Sequence, residues 1–282
     1  METLLYTNSA KVKIGTGPTV IIGEKINPTG RKKLAAALEA RNLDYVVELA
    51  TNQVAWGADV LDVNVGAPDV DAVALLPEVV KLVSSVVKVP LCIDTSDHAA
   101  LAAALPMAPG KPLVNSVSGE EKSLQTVLPL VKDRGAAVIG LAMDENGIPP
   151  TAEGRLAVAS RIIERATKLG IPIEDIVIDP LVLTVGADSK AGAITLKTIQ
   201  LVREKFGVNI NLGASNVSFG LPDRHTLNQA FLALAIGQGA TCMITDPMKL
   251  TAVIRGADLL LGRDTYSKRW VSFFRQHPPD AK

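Results

Sequence analysis

One repeating pattern constrains the fold of this sequence more than any other feature. A short apolar run is followed by a longer segment with helical spacing of its apolar residues, and the pair recurs along the chain. The runs contain Val, Ile, Leu and Ala without alternation, as is typical of strands buried on both faces. Gly or Pro precedes most of them. The runs are TVIIGEKIN, ADVLDVNVG, VPLCIDTS, KPLVNSVSG, AAVIGLAM, DIVIDPLV, VNINLGASN and ATCMITDP.

About eight strand–helix units over roughly 250 residues predict a (β/α)8 TIM barrel with its active site at the C-terminal mouth. A doubly wound open sheet fits the same periodicity and stays open as an alternative. No linker or change in composition interrupts the chain, so we predict a single domain over residues 1–282. Residues 1–18 precede the first strand and are expected to be an N-terminal appendage. Residues 264–282 are expected to form a C-terminal helix and tail.

Charge and motifs exclude several classes of function. Lys plus Arg and Asp plus Glu number 29 each without a basic run, which argues against broad binding to nucleic acid or an anionic membrane. The N-terminal stretch does not resemble a signal peptide and no apolar run approaches about 20 residues, so we expect a cytoplasmic protein. Cys92 and Cys242 lie in apolar runs and are interpreted as core residues. Without C-x-x-C or H-E-x-x-H, and with three histidines, no metal site of its own is predicted.

Polar residues end nearly every apolar run. In a barrel these positions converge on the C-terminal mouth, where active sites are built. Carboxylates accept hydrogen bonds and asparagine both donates and accepts, so the set suits a polar, neutral heterocycle with several N–H donors. Because the set is nearly free of cations and no Gly-rich phosphate cradle follows, a phosphorylated sugar fits poorly. The strand-end residues are Glu24, Asn27, Asp62, Asn64, Asp94, Asn115, Met143, Asp144, Asp179, Asn216 and Asp246.

Each of these residues also has a structural interpretation. Asp or Asn directly after a strand is a common helix N-cap or turn residue. Asp62, Asn64 and Glu24 also fit a hydrogen-bonded floor beneath a ligand. Ser215 lacks an adjacent base and a G-x-S-x-G motif, so a nucleophilic role is not favoured.

Seven segments occur in the order seen in pterin-binding barrels, from about residue 21 to residue 262. The sequence resembles dihydropteroate synthases, the folate domain of cobalamin-dependent methionine synthase and methyltetrahydrofolate–corrinoid protein methyltransferases. Its SNVS resembles the methyltransferase branch, whereas dihydropteroate synthases have Ser-Arg or Lys there. Phe219 resembles the methionine synthase domain, where an acetogen-type methyltransferase is expected to have glutamine. The segments are GEKIN, DVNVGAP, CIDTS, VNSVSGE, VIGLAMDENGIP, IDPLV and GASNVSFG.

The resemblance implies a methyltransferase acting between the reduced pterin of tetrahydrofolate and a corrinoid, in a direction that the sequence does not fix. It implies that Asp94, Asn115 and Asp179 hold the pterin ring of tetrahydrofolate or 5-methyltetrahydrofolate. The motif D-x-H-x-x-G is absent, so the corrinoid is expected on a small partner protein. Enzymes of the families that this sequence resembles are usually homodimers, so the resemblance also implies a homodimer. Apolar residues of an outer helix, Leu227, Phe231, Leu232 and Leu234, fit either a dimer contact or ordinary helix–sheet packing.

Asn216 is predicted as the catalytic residue, because an asparagine can turn either its N–H or its oxygen toward the pterin nitrogen that carries the methyl group. Two alternatives remain at this stage: a dihydropteroate synthase-like enzyme that forms a C–N bond, and a non-catalytic pterin-binding subunit. The residues predicted to contact the pterin are Asp94, Asn115, Asp179, Asn216, Ser215, Glu24, Asn27, Asp62, Asn64 and Met143.

Overall fold

The computed structural model describes residues 1–278, and its strands form two sheets. An antiparallel hairpin consists of β1 (Thr3–Tyr6) and β2 (Lys11–Ile14). The other sheet is parallel and has eight strands. They are β3 (Val20–Ile26), β4 (Val60–Val63), β5 (Leu91–Asp94), β6 (Leu113–Ser118), β7 (Ala137–Leu141), β8 (Ile176–Asp179), β9 (Asn209–Ile210) and β10 (Cys242–Thr245).

The parallel sheet curves into a nearly closed barrel. Its strand order is β10-β3-β4-β5-β6-β7-β8-β9, so β9 and β10 are the edges that must meet. The N–H of Thr241 donates to the carbonyl of Ile210 at 3.0 Å, and the N–H of Ile244 donates to the carbonyl of Leu212 at 3.1 Å. These bonds join the edges, which confirms the predicted (β/α)8 TIM barrel over the open sheet.

Helices cover the outside of the barrel and connect successive strands. Helices α5 and α6 end at Gly135 and Gly170, whose φ values of 64° and 96° allow the chain to turn directly toward the next strand. The helices are α1 (Lys32–Glu39), α2 (Asp44–Ala55), α3 (Ala72–Val86), α4 (His98–Ala104), α5 (Glu121–Arg134), α6 (Ala152–Leu169), α7 (Ala191–Phe206), α8 (Arg224–Gly237), α9 (Pro247–Leu260) and α10 (Lys268–Gln276).

Apolar side chains fill two layers, one between the barrel and its helices and one inside the barrel. The strands bury residues on both faces, which explains their unalternated apolar sequences. Cys92 and Cys242 are fully buried in the inner layer, so their interpretation as core residues is confirmed.

The predicted appendage, residues 1–18, contains the hairpin, and the hairpin covers the amino-terminal end of the barrel. Leu5 and Ile14 are fully buried against the first residues of several barrel strands. The side-chain amide of Asn209 donates to the Thr3 hydroxyl and to the Ile14 carbonyl, both at 2.9 Å. These residues therefore belong to the barrel core, because they exclude water from the end of the barrel opposite the polar strand ends.

The predicted C-terminal helix corresponds to α10. It follows a short turn at Thr265–Ser267 and buries Phe273. The end of the predicted tail, residues 279–282, lies outside the described residues. Across residues 1–278, no helix has the length and apolar character needed to cross a membrane.

Candidate active site

Three cavities open at the carboxyl-terminal end of the barrel. One of about 360 Å³ lies beside Asp94, Asn115 and Ser116. The other two share the wall formed by Glu24, Asn115, Ser215 and Asn216. The larger, here the main cavity, has a volume of about 800 Å³, and the smaller, here the side cavity, has about 210 Å³. The volume of the main cavity lies in the range of small-molecule sites, and the side cavity extends this space. Of the predicted site residues, the main cavity is lined by Glu24, Asn27, Asp62, Asp94, Asn115, Ser215 and Asn216. The side cavity is lined by Glu24, Asn115, Asp179, Ser215 and Asn216.

Two predicted site residues line neither cavity. Asn64 contacts Asp94 instead of the cavities, and its Nδ2 donates to the Asp94 Oδ2 at 3.0 Å. Met143 follows β7 and is partly buried, and its carbonyl accepts the N–H of Gly119 at 2.8 Å. Asp246, the polar end of β10, caps helix α9 by accepting the N–H of Met248 at 3.2 Å. For Asp246 the helix-cap interpretation is therefore confirmed, although this residue also lines the main cavity.

The Asp94 carboxylate is held in place by two amides. Asn27 and Asn64 both donate to its Oδ2, at 3.2 and 3.0 Å. Four lone-pair positions are available on an ionised carboxylate, so acceptor capacity remains for a ligand in the main cavity. The orientation of this acceptor is thus fixed before any ligand binds.

Asp62 lies below Asp94 on β4 and is 1% exposed. Burial and the nearby Asp94 charge raise its pKa well above the usual range of a carboxyl. Burial also raises the pKa of Asp94, but hydrogen bonds from Asn64, Asp62 and Asn27 oppose that shift. Of the two carboxyls, Asp62 therefore has the higher pKa.

Asn115 is oriented by Asp62. Its Nδ2 donates to the Asp62 Oδ1 at 3.2 Å. Because that amide nitrogen is engaged, the Oδ1 of Asn115 is the atom left to face the cavities, and no residue within 1–278 donates to it. Asn115 thus presents a hydrogen-bond acceptor to a ligand.

Asp179, the last residue of β8, is 5% exposed and lines the side cavity. Its Oδ1 accepts the N–H of Leu181 and its Oδ2 accepts the amide of Asn211, both at 2.8 Å. Burial raises the pKa of Asp179 to about 6, against the lowering effect of these hydrogen bonds. Sequence analysis missed Asn211, although an asparagine within an apolar strand segment is a detectable signal.

A buried arginine fixes the loops around Asp179. Arg155 is 1% exposed, and its guanidinium donates to the carbonyls of Pro149 and Leu181 at 3.0 and 2.8 Å. It also donates to the Thr195 hydroxyl at 3.1 Å. These bonds connect the loops after β7 and β8 with α7. Its position on the same face of α6 as buried Ala159 is the signal that sequence analysis overlooked.

Asn216 lies in a short helical turn, Ala214–Ser218, directly after the β9 segment. Ala214 and Val217 are buried and anchor the turn, while the Asn216 side chain is exposed and lines both cavities. No described residue within 1–278 forms a hydrogen bond with that side chain. Its amide is consequently available to a ligand.

The main cavity is also lined by the cations Lys25, Arg31, Arg224 and Lys249. The expectation of a mouth nearly free of cations is therefore wrong. Arg224 even donates to the Ser215 carbonyl at 2.8 Å, so a cation adjoins Ser215 in space although none follows it in sequence. Except for Lys25, these cations come from helices and loops beyond the strand ends, because the barrel brings the start of α8 and α9 next to the loop after β3.

Two of these cations pair with carboxylates of the same wall. Lys25 Nζ lies 2.9 Å from the Asp246 Oδ2, and the Arg31 Nη2 lies 3.5 Å from the Glu24 Oε1. Burial raises the pKa of Glu24, and the Arg31 charge opposes this. Within residues 1–278 no cluster of three His, Cys, Asp or Glu side chains has an arrangement that could hold a metal ion.

Comparisons with known proteins identify the family of this barrel and several of its relatives. Residues 23–246 match the family model of the pterin binding enzymes. The chain is 32% identical over 266 residues to the methylcorrinoid:tetrahydrofolate methyltransferase of Eubacterium limosum, which covers 91% of this chain and 96% of that protein. It is 30% identical over 226 residues to the methionine synthase of Mycobacterium tuberculosis, covering 76% of this chain and 19% of that protein.

Solved structures of the dihydropteroate synthase of Yersinia pestis have a similar fold. One, which contains a pterine-sulfa conjugate, gives a TM-score of 0.72 with 18% identity and covers 92% of this chain and 99% of that chain. Another gives a TM-score of 0.71 with 18% identity over 93% and 100%. At this identity the likeness shows the barrel fold alone.

Proposed function

The chain belongs to the pterin-binding enzyme family, and we propose that it is a methyltransferase that moves a methyl group between the reduced pterin of tetrahydrofolate and the cobalt of a corrinoid carried on a partner protein. The observation that carries this proposal is the shared wall of the two cavities. Asn115 and Asn216 line both cavities, Asp94 adds an acceptor in the main cavity and Asp179 adds one in the side cavity. The Asn216 amide has no hydrogen-bond partner among residues 1–278. The similarity to the Eubacterium limosum methyltransferase along nearly the full length of both chains supports it.

The acceptors match the donors of a reduced pterin. Its 2-amino group and the neighbouring ring N–H form a paired donor edge that the Asp179 carboxylate accepts in a bidentate contact, because each of its oxygens already accepts only one hydrogen bond. The Asp94 Oδ2 already accepts from Asn27 and Asn64, so Asp94 offers its Oδ1 to a single donor. The Asn115 oxygen accepts from another N–H. Because burial and the nearby Asp94 charge raise the pKa of Asp62, the wall around Asp94 is less negatively charged than its carboxyl count suggests. A neutral head group therefore binds without a counter-ion.

Asn216 acts on the nitrogen that carries the methyl group. When the N–CH3 bond breaks, its electron pair stays on the nitrogen, and a donor that stabilises the developing charge lowers the barrier. The Asn216 amide donates through Nδ2 to the neutral nitrogen or accepts through Oδ1 from its protonated form. In the reverse direction the same side chain stabilises the nitrogen as it attacks the methyl group. Cobalt supplies the other reaction centre once the corrinoid protein has docked over the cavity.

The same proposal implies two binding partners, a corrinoid protein and a second copy of this chain. A small corrinoid protein is the methyl donor or acceptor, and the working form is a cytoplasmic homodimer. For a dimer contact through α8, burial restricts the candidates: Phe231 and Leu232 are 6% and 0% exposed and pack on the barrel, while Leu227 and Leu234 are 37% and 56% exposed. Light scattering of the purified chain tests the dimer, which predicts twice the 29.7 kDa chain mass.

Incubation of the purified chain with tetrahydrofolate and methylcobalamin tests the activity, as does the reverse pair, 5-methyltetrahydrofolate and reduced cobalamin. The expected result is methyl transfer in at least one pairing, followed by the cobalamin absorbance and by mass spectrometry of the folate. The matched chemical control is incubation with p-aminobenzoate and an activated pterin, which should yield no dihydropteroate. Folate binding without methyl transfer to free or protein-bound corrinoid would mean a non-catalytic pterin-binding subunit.

A further inference from the structure

We propose that three cations at the entrance of the main cavity, Arg31, Arg224 and Lys249, bind the carboxylates of the glutamate tail of the folate substrate. These three residues are here called the cationic rim. The inference rests on the proposed function and deepens it: the chain prefers tetrahydrofolates with several glutamates over those with one. Glutamate count is then a specificity determinant of this barrel.

The main cavity separates acceptors from cations by depth. Its buried part contains Asp62 on β4 and Asp94 at the end of β5, which are strand residues. Arg224 and Lys249 belong to the first turns of α8 and α9 and are exposed, as is the neighbouring His225. A ligand that spans the cavity therefore meets acceptors at its buried end and cations at its outer end. This charge order matches a molecule with a neutral, donor-rich head and an anionic tail.

Arg224 is fixed in position by neutral groups alone. Its Nη2 donates to the Ser215 carbonyl at 2.8 Å, and its Nε donates to the Ser218 hydroxyl at 3.1 Å. Ser218 is buried and donates in turn to the Asn228 Oδ1 at 2.7 Å, which makes the support rigid. None of the carboxylates in residues 1–278 lies within 4 Å of the Arg224 guanidinium. The structure thus holds a positive charge in place at the cavity wall without a direct ion pair, although Glu24 is near enough for this charge to lower its pKa.

Lys249 provides a second uncompensated charge. It is exposed in the first turn of α9, and no carboxylate of the described chain forms an ion pair with it. Lys25, in contrast, is bound to Asp246 at 2.9 Å and is therefore not counted in the rim. Arg31 lies 3.5 Å from Glu24, a long contact that leaves guanidinium N–H groups free for another anion. The rim therefore has more positive charge than its own surroundings balance.

Phe219 supplies the connection between head and tail. Its ring is 67% exposed, lines the main cavity, and lies with its centroid 5.7 Å from the Arg224 guanidinium carbon. A tetrahydrofolate has an aminobenzoyl ring between the pterin and the first glutamate, and an exposed aromatic face is a suitable contact for it. The pterin head, the aminobenzoyl ring and the glutamate carboxylates of the ligand thus meet complementary protein groups in the same order as they occur along the ligand.

Calorimetric titration with three ligands tests the proposal: a tail-less 5-methyltetrahydropterin, 5-methyltetrahydrofolate with one glutamate, and its triglutamate. In the parent chain the affinity should rise in that order, by up to about 5-fold for each additional exposed pair of a cation and a carboxylate. The measured quantity is the ratio of triglutamate affinity to tail-less affinity. Lys249→Gln should lower that ratio by up to about 5-fold, and the double variant with Arg224→Gln should lower it further.

Lys81→Gln is the matched control, because Lys81 is an exposed lysine on α3 that lines neither cavity. It should keep the parental ratio. Arg224→Lys, which keeps the charge but loses the paired N–H geometry, should retain part of the ratio. Raising the ionic strength from about 0.05 M to about 0.5 M should reduce the ratio in the parent and hardly change it in the double variant.

The outcomes separate this inference from the proposed function. No binding of any of the three ligands contradicts the proposed function itself. Equal affinity for the tail-less and triglutamate ligands in the parent overturns the tail site and leaves the pterin site intact. A parental ratio in the double variant also overturns it. If that variant instead raises the KM for the corrinoid protein at an unchanged ratio, the rim binds the partner, and the assignment to the tail is wrong.

Discussion

Replacement of Asn216 by alanine is the perturbation that separates chemistry from folding most cleanly. The side chain is exposed, lines both cavities and forms no hydrogen bond within residues 1–278. The turn that carries it is anchored by buried neighbours, Ala214 and Val217, which the variant keeps. Asn216→Ala therefore removes a ligand-facing amide and leaves the support of the turn unchanged.

The expected magnitudes differ between stability and rate. Loss of an exposed side chain without partners changes the free energy of unfolding by no more than about 0.5 kcal/mol. Loss of one preorganised donor at a centre of developing charge costs about 10²–10³ in rate, or about 2.7–4 kcal/mol of transition-state stabilisation. The rate effect thus exceeds the stability effect several-fold in free energy, and unfolding does not account for it.

Asn216→Asp adds a test of the direction of hydrogen bonding. An ionised aspartate accepts from a protonated amine but does not donate to a neutral one. With 5-methyltetrahydrofolate as methyl donor, the rate constant for methyl transfer should therefore fall more steeply with rising pH in this variant than in the parent. Single-turnover kinetics with the corrinoid in excess gives the rate constant, and calorimetry gives the folate affinity separately.

Asn146→Ala is the control, since Asn146 is an exposed asparagine in the loop after β7 that lines neither cavity. It should transfer methyl groups at the parental rate. Near-parental single-turnover rates for both Asn216 variants, with folate binding intact, would refute the reasoning. Another group would then assist the pterin nitrogen, and Asn216 would be a turn residue.

Three further results are expected. Asp94→Ala should weaken folate binding by about 1–3 kcal/mol in calorimetry, because a buried pterin donor loses its acceptor; unchanged affinity at an unchanged melting temperature would count against the pterin site. Burial raises the pKa of Asp179 to about 6, so its ionised, accepting form is lost as the pH falls through that value, and folate affinity should fall by up to about tenfold per pH unit below it. Asp179→Asn should remove that pH dependence with the same ligand; an equally steep profile would assign the titration to another group. Leu5→Ala should lower the free energy of unfolding in urea by about 2–5 kcal/mol, because Leu5 is fully buried between the hairpin and the amino-terminal end of the barrel; a loss below about 0.5 kcal/mol would mean that the hairpin packs only loosely.

The sequence alone predicted the strand positions and favoured the barrel, and the hydrogen bonds between the β9 and β10 segments then excluded the open sheet. Each of the eight apolar runs contains one strand of the parallel sheet, because burial on both faces imposes an apolar sequence that is legible within a few residues. The strand ends were predictable for the same reason, and with them the candidate acceptors Asp94, Asn115 and Asp179. Closure of parallel strands then requires these ends to meet. That Asn216 faces both cavities is consistent with its predicted role, which its variants will test.

Other features required the tertiary structure, because they depend on residues far apart in the chain. The Lys25–Asp246 ion pair joins positions 221 residues apart, and Arg224 adjoins Ser215 only because α8 begins beside the turn after β9. The raised pKa of Asp62 follows from its burial next to Asp94, a property of the packed site. The spacing of apolar residues in the sequence predicts which side chains are buried. Charge and hydrogen bonding at the mouth depend instead on distances between side chains that only the closed barrel establishes.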